Sequence, residues 1–137
     1  MKKLGPLFGG AYYRIILDEA HQIKNRTTQM HKACVALESK YRWALSGTPV
    51  QNSVDDLFAL FEFLGKVVNP LHEYSEFKQK IADPIKQGRA KLGMARLSVV
   101  LKAVMLRRTK LTLVDGKPLL QLPKREIIEA KGPFLDP

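Results

Sequence analysis

The chain has one cysteine, Cys34. An internal disulfide and a cysteine-based zinc site are therefore excluded, which fits a reducing compartment. It also has no long apolar run: nothing approaches the ~20 residues that a membrane-crossing helix needs. Met1-Lys2-Lys3 opens like the basic start of a secretion signal, but Gly5, Pro6, Gly9 and Gly10 break any apolar stretch behind it. The expectation is an intracellular, soluble chain with no membrane partner. Histidines are few as well. His21, His31 and His72 show no H-x-x-x-H spacing, so a metal cluster is not expected. No repeat or low-complexity tract interrupts the chain, and no zinc-finger or recognition-helix pattern is present.

Acidic residues are scarce relative to basic ones. Asp plus Glu number 13 against 23 Lys plus Arg, giving a net charge of +10. Residues 1–71 hold 9 basic and 6 acidic side chains, net +3; residues 72–137 hold 14 and 7, net +7. Such an excess suits a polyanionic partner, most simply nucleic acid, although a basic solvated surface would have the same composition. Hydrophobic residues make up 45% and charged residues 26% of the 137, the balance of one folded domain.

The apolar residues that are present are patterned. Tyr13 to Leu17 is a short β-rich run with acids directly behind it, and reads as a buried strand. Met30, Cys34 and Leu37 repeat at helical spacing within 28–38 and predict a helix with one buried stripe. Tyr41 to Leu45 reads as a second strand, ended by the turn formers Ser46-Gly47-Thr48-Pro49. Strand, helix, strand is the parallel α/β unit, whose reactive groups lie beyond the strand ends. Ser53 and Asp56 resemble a capping box, followed by Val54, Leu57, Phe58, Phe61 and Leu64 at helical spacing, with Gly65 as the stop. A short helix is expected over 73–81, interrupted at Asp83-Pro84. A longer one is expected over 89–106, with Met94, Leu97, Val100, Leu101, Val104 and Met105 on its apolar face and Lys91, Ala95, Ser98 and Lys102 opposite. Beyond it lie a turn at 115–118 and a possible strand over 126–130.

Two constellations carry chemistry. Asp18-Glu19-Ala20-His21 follows the first strand. A strand-end Asp can hold Mg²⁺ on a nucleotide's phosphates, and a neighbouring Glu can orient or deprotonate an attacking water. Two solvated acids opening a loop would read the same way. His21 suits a hydrogen-bonding role in that cleft. The second constellation, Ser46-Gly47-Thr48-Pro49-Val50-Gln51-Asn52, ends the second strand. It places small hydroxyls and backbone amides in the same crevice, as a routine strand-to-helix turn also would.

Together, and in this order, the two segments closely resemble motifs II and III of superfamily-two helicases, above all the Swi/Snf-type DNA translocases. Met105-Leu106-Arg107-Arg108-Thr109-Lys110 followed by Leu122-Pro123-Lys124-Arg125 is similar to a third stretch of that family. Ala103-Val104-Met105 resembles the branch of post-replication-repair translocases that carry a RING insert. The resemblance runs from about Pro6 to Ala130. It implies an α/β fold: part of a RecA-like parallel sheet of the P-loop NTPase type, with a helical protrusion in the second half. Residues 1–64 would be the C-terminal half of the first RecA-like lobe. Residues 65–137 would be the protrusion and the basic Leu-Arg-Arg segment returning to the lobe.

The resemblance further implies ATP and Mg²⁺ as cofactors, Asp18 as the magnesium residue and Glu19 as the hydrolytic base. His21 would link the ATP site to the third motif, and Ser46, Gly47, Thr48, Gln51 and Asn52 would form the loop coupling hydrolysis to movement. Lys91, Lys102, Arg107, Arg108 and Lys110 would lie near DNA. Expected partners are double-stranded DNA or chromatin and the remainder of the motor, in the nucleus, in remodelling or repair. The 137 residues contain no G-x-x-x-x-G-K-[ST] phosphate loop, so no ATP turnover is expected of this chain alone. A non-catalytic remnant that at most binds DNA or a partner is the alternative.

Overall fold

The computed structural model describes residues 5–48, 53–109, 112–114 and 116–118. It divides into two compact units, Met1–Met105 and Leu106–Pro137.

The first unit begins with a short 3-10 turn, Pro6–Phe8, and then strand β1, Tyr12–Leu17. Helix α1, Gln29–Ala36, leads to strand β2, Ser39–Ala44. The strands pair in parallel, with Arg14 opposite Tyr41 and Ile16 opposite Trp43. Tyr12 joins β1, and Ser39 and Lys40 join β2, ahead of the expected starts; β2 ends at Ala44, and Leu45 continues the ladder by donating its N–H to Leu17 O at 2.8 Å. Thr28 caps α1, its hydroxyl accepting from His31 N at 3.2 Å.

The stripe expected on α1 is shifted. Met30 is exposed, and His31 is the buried residue, with Cys34 and Val35 partly buried beside it. Periodicity favoured the most apolar phase. The structure instead turns a histidine inward because two acceptors await it there.

Helix α2, Val54–Leu64, is the centre of the core. Its capping box forms, Ser53 N donating to Asp56 Oδ2 at 3.3 Å, and Gly65 ends it with φ 68°. The expected face is buried, but so are Ala59, Leu60 and Phe63. The helix is apolar almost all round because β2 lies on one side and the later helices on another. Burying each of its three phenylalanines contributes roughly 2–3 kcal/mol.

Asp83-Pro84 does not interrupt the helical path. Helix α3, Tyr74–Phe77, runs through a π-helical turn, Lys78–Ala82, into α4, Asp83–Lys86. In the wider register Asp83 N–H reaches back to Lys78 O. Pro84 falls in the first turn of α4, where a missing N–H leaves no helical bond unmade. Arg96 Nη1, farther along the chain, donates to Lys80 O in the π-helical turn at 3.2 Å.

Helix α5, Ala90–Val104, packs on this bent path. Leu97 and Gly93 are buried and Val100, Leu101 and Val104 partly so, whereas Met94 and Met105 are exposed, contrary to the expected face. The contact narrows to backbone at Gly93, so the interface is centred on Gly93 and Leu97 and the methionines fall at its margin. Lys91, Ala95, Ser98 and Lys102 face solvent as expected.

The second unit holds an antiparallel pair, β3 (Leu113–Val114) and β4 (Lys117–Pro118), turned at Gly116 with φ 75°. The expected strand over 126–130 and the Leu122-to-Arg125 stretch lie outside the described residues. No helix among the described residues is long and apolar enough to cross a membrane.

Candidate functional site

Parallel pairing of β1 and β2 puts their C-terminal ends at the same edge, and both sequence constellations begin there. The backbones cross-link directly. Leu45 donates to Leu17 O, and Ala20 N donates to Leu45 O, each at 2.8 Å. The residue before Ser46 is thereby held between the last residue of β1 and the third residue of the acid segment.

The acid segment alternates between display and anchorage. Asp18 and Glu19 are exposed, while Ala20 and Ile23 are buried against the core. Ala20–Ile23 forms a 3-10 turn, with Gln22 N bonding Glu19 O at 2.9 Å and Lys24 N bonding His21 O at 3.2 Å. Glu19 takes a left-handed backbone with φ 49°. A non-glycine residue there is strained, and such strain concentrates at functional sites. Asp18 Oδ1 accepts Glu19 N–H at 2.9 Å, an arrangement that helps hold the bend.

His21 Nδ1 lies 3.0 Å from Glu19 Oε2, but off the angle of a hydrogen bond, so this buried nitrogen has no hydrogen-bond partner among the described residues. In the third-motif segment, Thr48 N donates to Ser46 Oγ at 3.2 Å, a tight turn with Gly47 at its exposed tip. Gln51 and Asn52 lie outside the described residues, as does Lys110. Lys91 and Lys102 are exposed on α5, and Arg107 and Arg108 are exposed in the second unit.

The edge therefore presents two carboxylates, a half-buried imidazole and a hydroxyl-rich turn. An aspartate at a strand end can serve a divalent cation through one oxygen while the other accepts a backbone amide. Among the described residues no three His, Cys, Asp or Glu converge as a closed metal cage. That donor set suits Mg²⁺, which keeps waters and takes its remaining ligands from phosphates. A shallow depression lined by Lys24, Asn25, Arg26, Thr27, Asp55 and Asp56 mixes both signs of charge and does not include the acid pair.

Four polar residues were given no structural role in the sequence analysis. Arg42 points from β2 into the gap between helix ends and donates to Val35 O at 3.3 Å, Phe63 O at 2.8 Å and Leu37 O. Burial lowers its affinity for its proton. His31 and Glu62 meet under the acid segment together with Arg26. Their only sequence signal is that each is polar on a face otherwise turned inward.

Residues 6–130 match the SNF2-related domain. The chain belongs to this family. It is 47% identical over 123 residues to the helicase-like transcription factor CHR27 of Arabidopsis thaliana, covering 90% of this chain and 12% of that protein. It is 43% identical over 126 residues to the DNA repair protein RAD5 of Kluyveromyces lactis, covering 91% and 11%. Among solved structures it resembles the SWI2/SNF2 ATPase core of Sulfolobus solfataricus in complex with double-stranded DNA, at 43% identity and a TM-score of 0.63, over 76% of this chain and 22% of that one. The SNF2-related chain thus spans about an eighth of the curated relatives it matches. The α/β reading and the RecA-like assignment agree with that neighbour.

Proposed function

We infer that the chain is part of an ATP-dependent DNA translocase motor that acts in chromatin remodelling or repair in the nucleus. The observation that carries this reading is the common edge of β1 and β2, where the Asp18-to-His21 and Ser46-to-Thr48 segments are joined through Ala20 N and Leu45 O. Residues 1–64 serve as the latter half of the first RecA-like lobe, and residues 65–137 as the protrusion and returning segment. Asp18 would hold Mg²⁺ at the nucleotide, where the ion would neutralise developing charge, and Glu19 would take the proton of the attacking water or orient it. His21 and the turn of Ser46, Gly47 and Thr48, with Gln51 and Asn52, couple that step to movement along double-stranded DNA.

Phosphoryl transfer rests chiefly on positioning and charge stabilisation. Without a phosphate loop, the 137 residues should hydrolyse ATP no faster than background. The direct test is transplantation. Residues 6–130 replace the matching segment of the archaeal ATPase core, and turnover is measured with and without duplex DNA. The chimera should show DNA-stimulated hydrolysis, lost in Glu19→Gln. A chimera that folds and binds DNA yet never hydrolyses ATP would overturn the reading.

A further inference from the structure

Beneath the acid segment lies a polar cluster that the proposed chemistry does not use. Glu62, on α2, receives two donors on the same oxygen: Arg26 Nε at 2.7 Å and His31 Nε2 at 3.0 Å. The other ring nitrogen, His31 Nδ1, lies 2.8 Å from Ile23 O, the last carbonyl of the 3-10 turn. His31 is 2% exposed. The Arg26 guanidinium continues past Glu62 to lie over the rings of Phe58 and Tyr74, 4.3 and 4.5 Å from their centroids.

The chemistry of the partners settles the state of the ring. A carbonyl oxygen only accepts, and so does an ionised carboxylate. Burial works against the Glu62 charge, but the Arg26 guanidinium, always charged, donates to Glu62 Oε2 at 2.7 Å and the carboxyl lies below its ordinary value, hence ionised. Both His31 nitrogens must then carry protons. A buried imidazolium is tolerable here because Glu62 accepts from it directly and the cluster's second cation, Arg26, is about a third exposed to solvent. The parts come from five elements: Ile23 from the turn behind the acids, Arg26 from the loop after it, His31 from α1, Glu62 and Phe58 from α2, and Tyr74 from α3.

We propose that Arg26, His31 and Glu62 form a charged positioning clamp, with His31 as an imidazolium, that fixes the turn carrying Asp18 to His21 against α2. These are positioning residues; none reaches the acid pair directly. The clamp's importance for hydrolysis rests on the motor reading above, but its existence does not. The test accordingly reads this chain without nucleotide.

Long-range ¹H–¹⁵N spectra of the full 137-residue chain at neutral pH should show both His31 ring nitrogens in the protonated range. Glu62→Gln keeps the shape and an acceptor but removes the charge. It should return His31 to a neutral ring with one protonated nitrogen. Amide exchange at Gln22 and Lys24 should then accelerate by about tenfold or more, the scale of a lost charged hydrogen bond. Exchange at Leu45 and Met105, bonded to Leu17 O and Leu101 O, should be unchanged. A neutral His31 ring in the unaltered chain would overturn the proposal without any variant. So would exchange that rises equally at all four amides, because that is the signature of ordinary core loosening.

Discussion

Single residues in this chain do work that their letters do not announce. Glu62 is the clearest. Desolvation raises its proton affinity, but hydrogen bonds and charge from Arg26 and His31 lower it further, for a net decrease. A depressed carboxylate adds stability that is complete above its unfolded value and is lost as pH falls through the folded one. The chain should therefore lose stability on acidification through the lower carboxylate range, and Glu62→Gln should flatten that part of the profile. Urea midpoints across pH would measure it. Glu62 and Arg26 are 29% and 35% exposed, so solvent screening holds the neutral-pH cost to about 1 kcal/mol.

Gly93 is the other case. A Cβ there would sit 2.7 Å from Ile85 Cγ1 and 2.9 Å from the Ile81 carbonyl oxygen. The side chain could turn aside, but the backbone oxygen could not. Alanine improves helix propensity by about 1 kcal/mol, yet Gly93→Ala should lower the thermal midpoint, because prising α5 from the π turn costs about 1–3 kcal/mol. A raised midpoint would mean that the helices part freely.

At the scale of elements, the sequence was most legible where local rules act alone. The two strands, the Ser53 capping box and the Gly65 stop follow from patterns a few residues long. The acid and hydroxyl segments were legible for the same reason, since each follows a strand. What stayed hidden depends on partners far along the chain. His31 turns inward because of Ile23 and Glu62, and Arg42 because Phe63 O waits at the end of α2. Pro84 was read as a break because nothing nearby announces the π-helical turn that carries the path into α4.

The sheet makes its own prediction. Ile16, Tyr41, Trp43 and Leu45 are all exposed, and Arg14 lies over the Tyr41 and Trp43 rings. Trp43 is the chain's one tryptophan and is 52% exposed. Its emission should resemble that of a solvated indole and be readily quenched by iodide. An apolar strand face of this kind promotes association, so Trp43→Lys should delay the onset of light scattering on concentration without altering the far-UV spectrum. Blue-shifted, unquenched emission from dilute chain would show that the face is covered.

For the whole molecule, charge is the property that acts at a distance. Most of the +10 excess lies in residues 72–137, where Lys91, Lys102, Arg107 and Arg108 are exposed and Lys110 lies outside the described residues. Nothing in the sequence supplies a base-reading element, so phosphate neutralisation would provide the affinity. Binding of this chain to duplex DNA should be weak, indifferent to sequence and steeply dependent on salt. Each neutralised phosphate contributes about 0.9 to the logarithmic slope, so roughly three contacts would cost about fortyfold between 50 and 200 mM salt. Replacing Lys91 and Lys102 by glutamine should lower the slope by up to about 2 and weaken binding alike on all sequences. Fluorescence anisotropy on two unrelated duplexes at both salt concentrations would measure this. A salt-independent affinity, or a preference for one duplex, would contradict the electrostatic account. An unchanged slope in the double variant would move the contact away from α5.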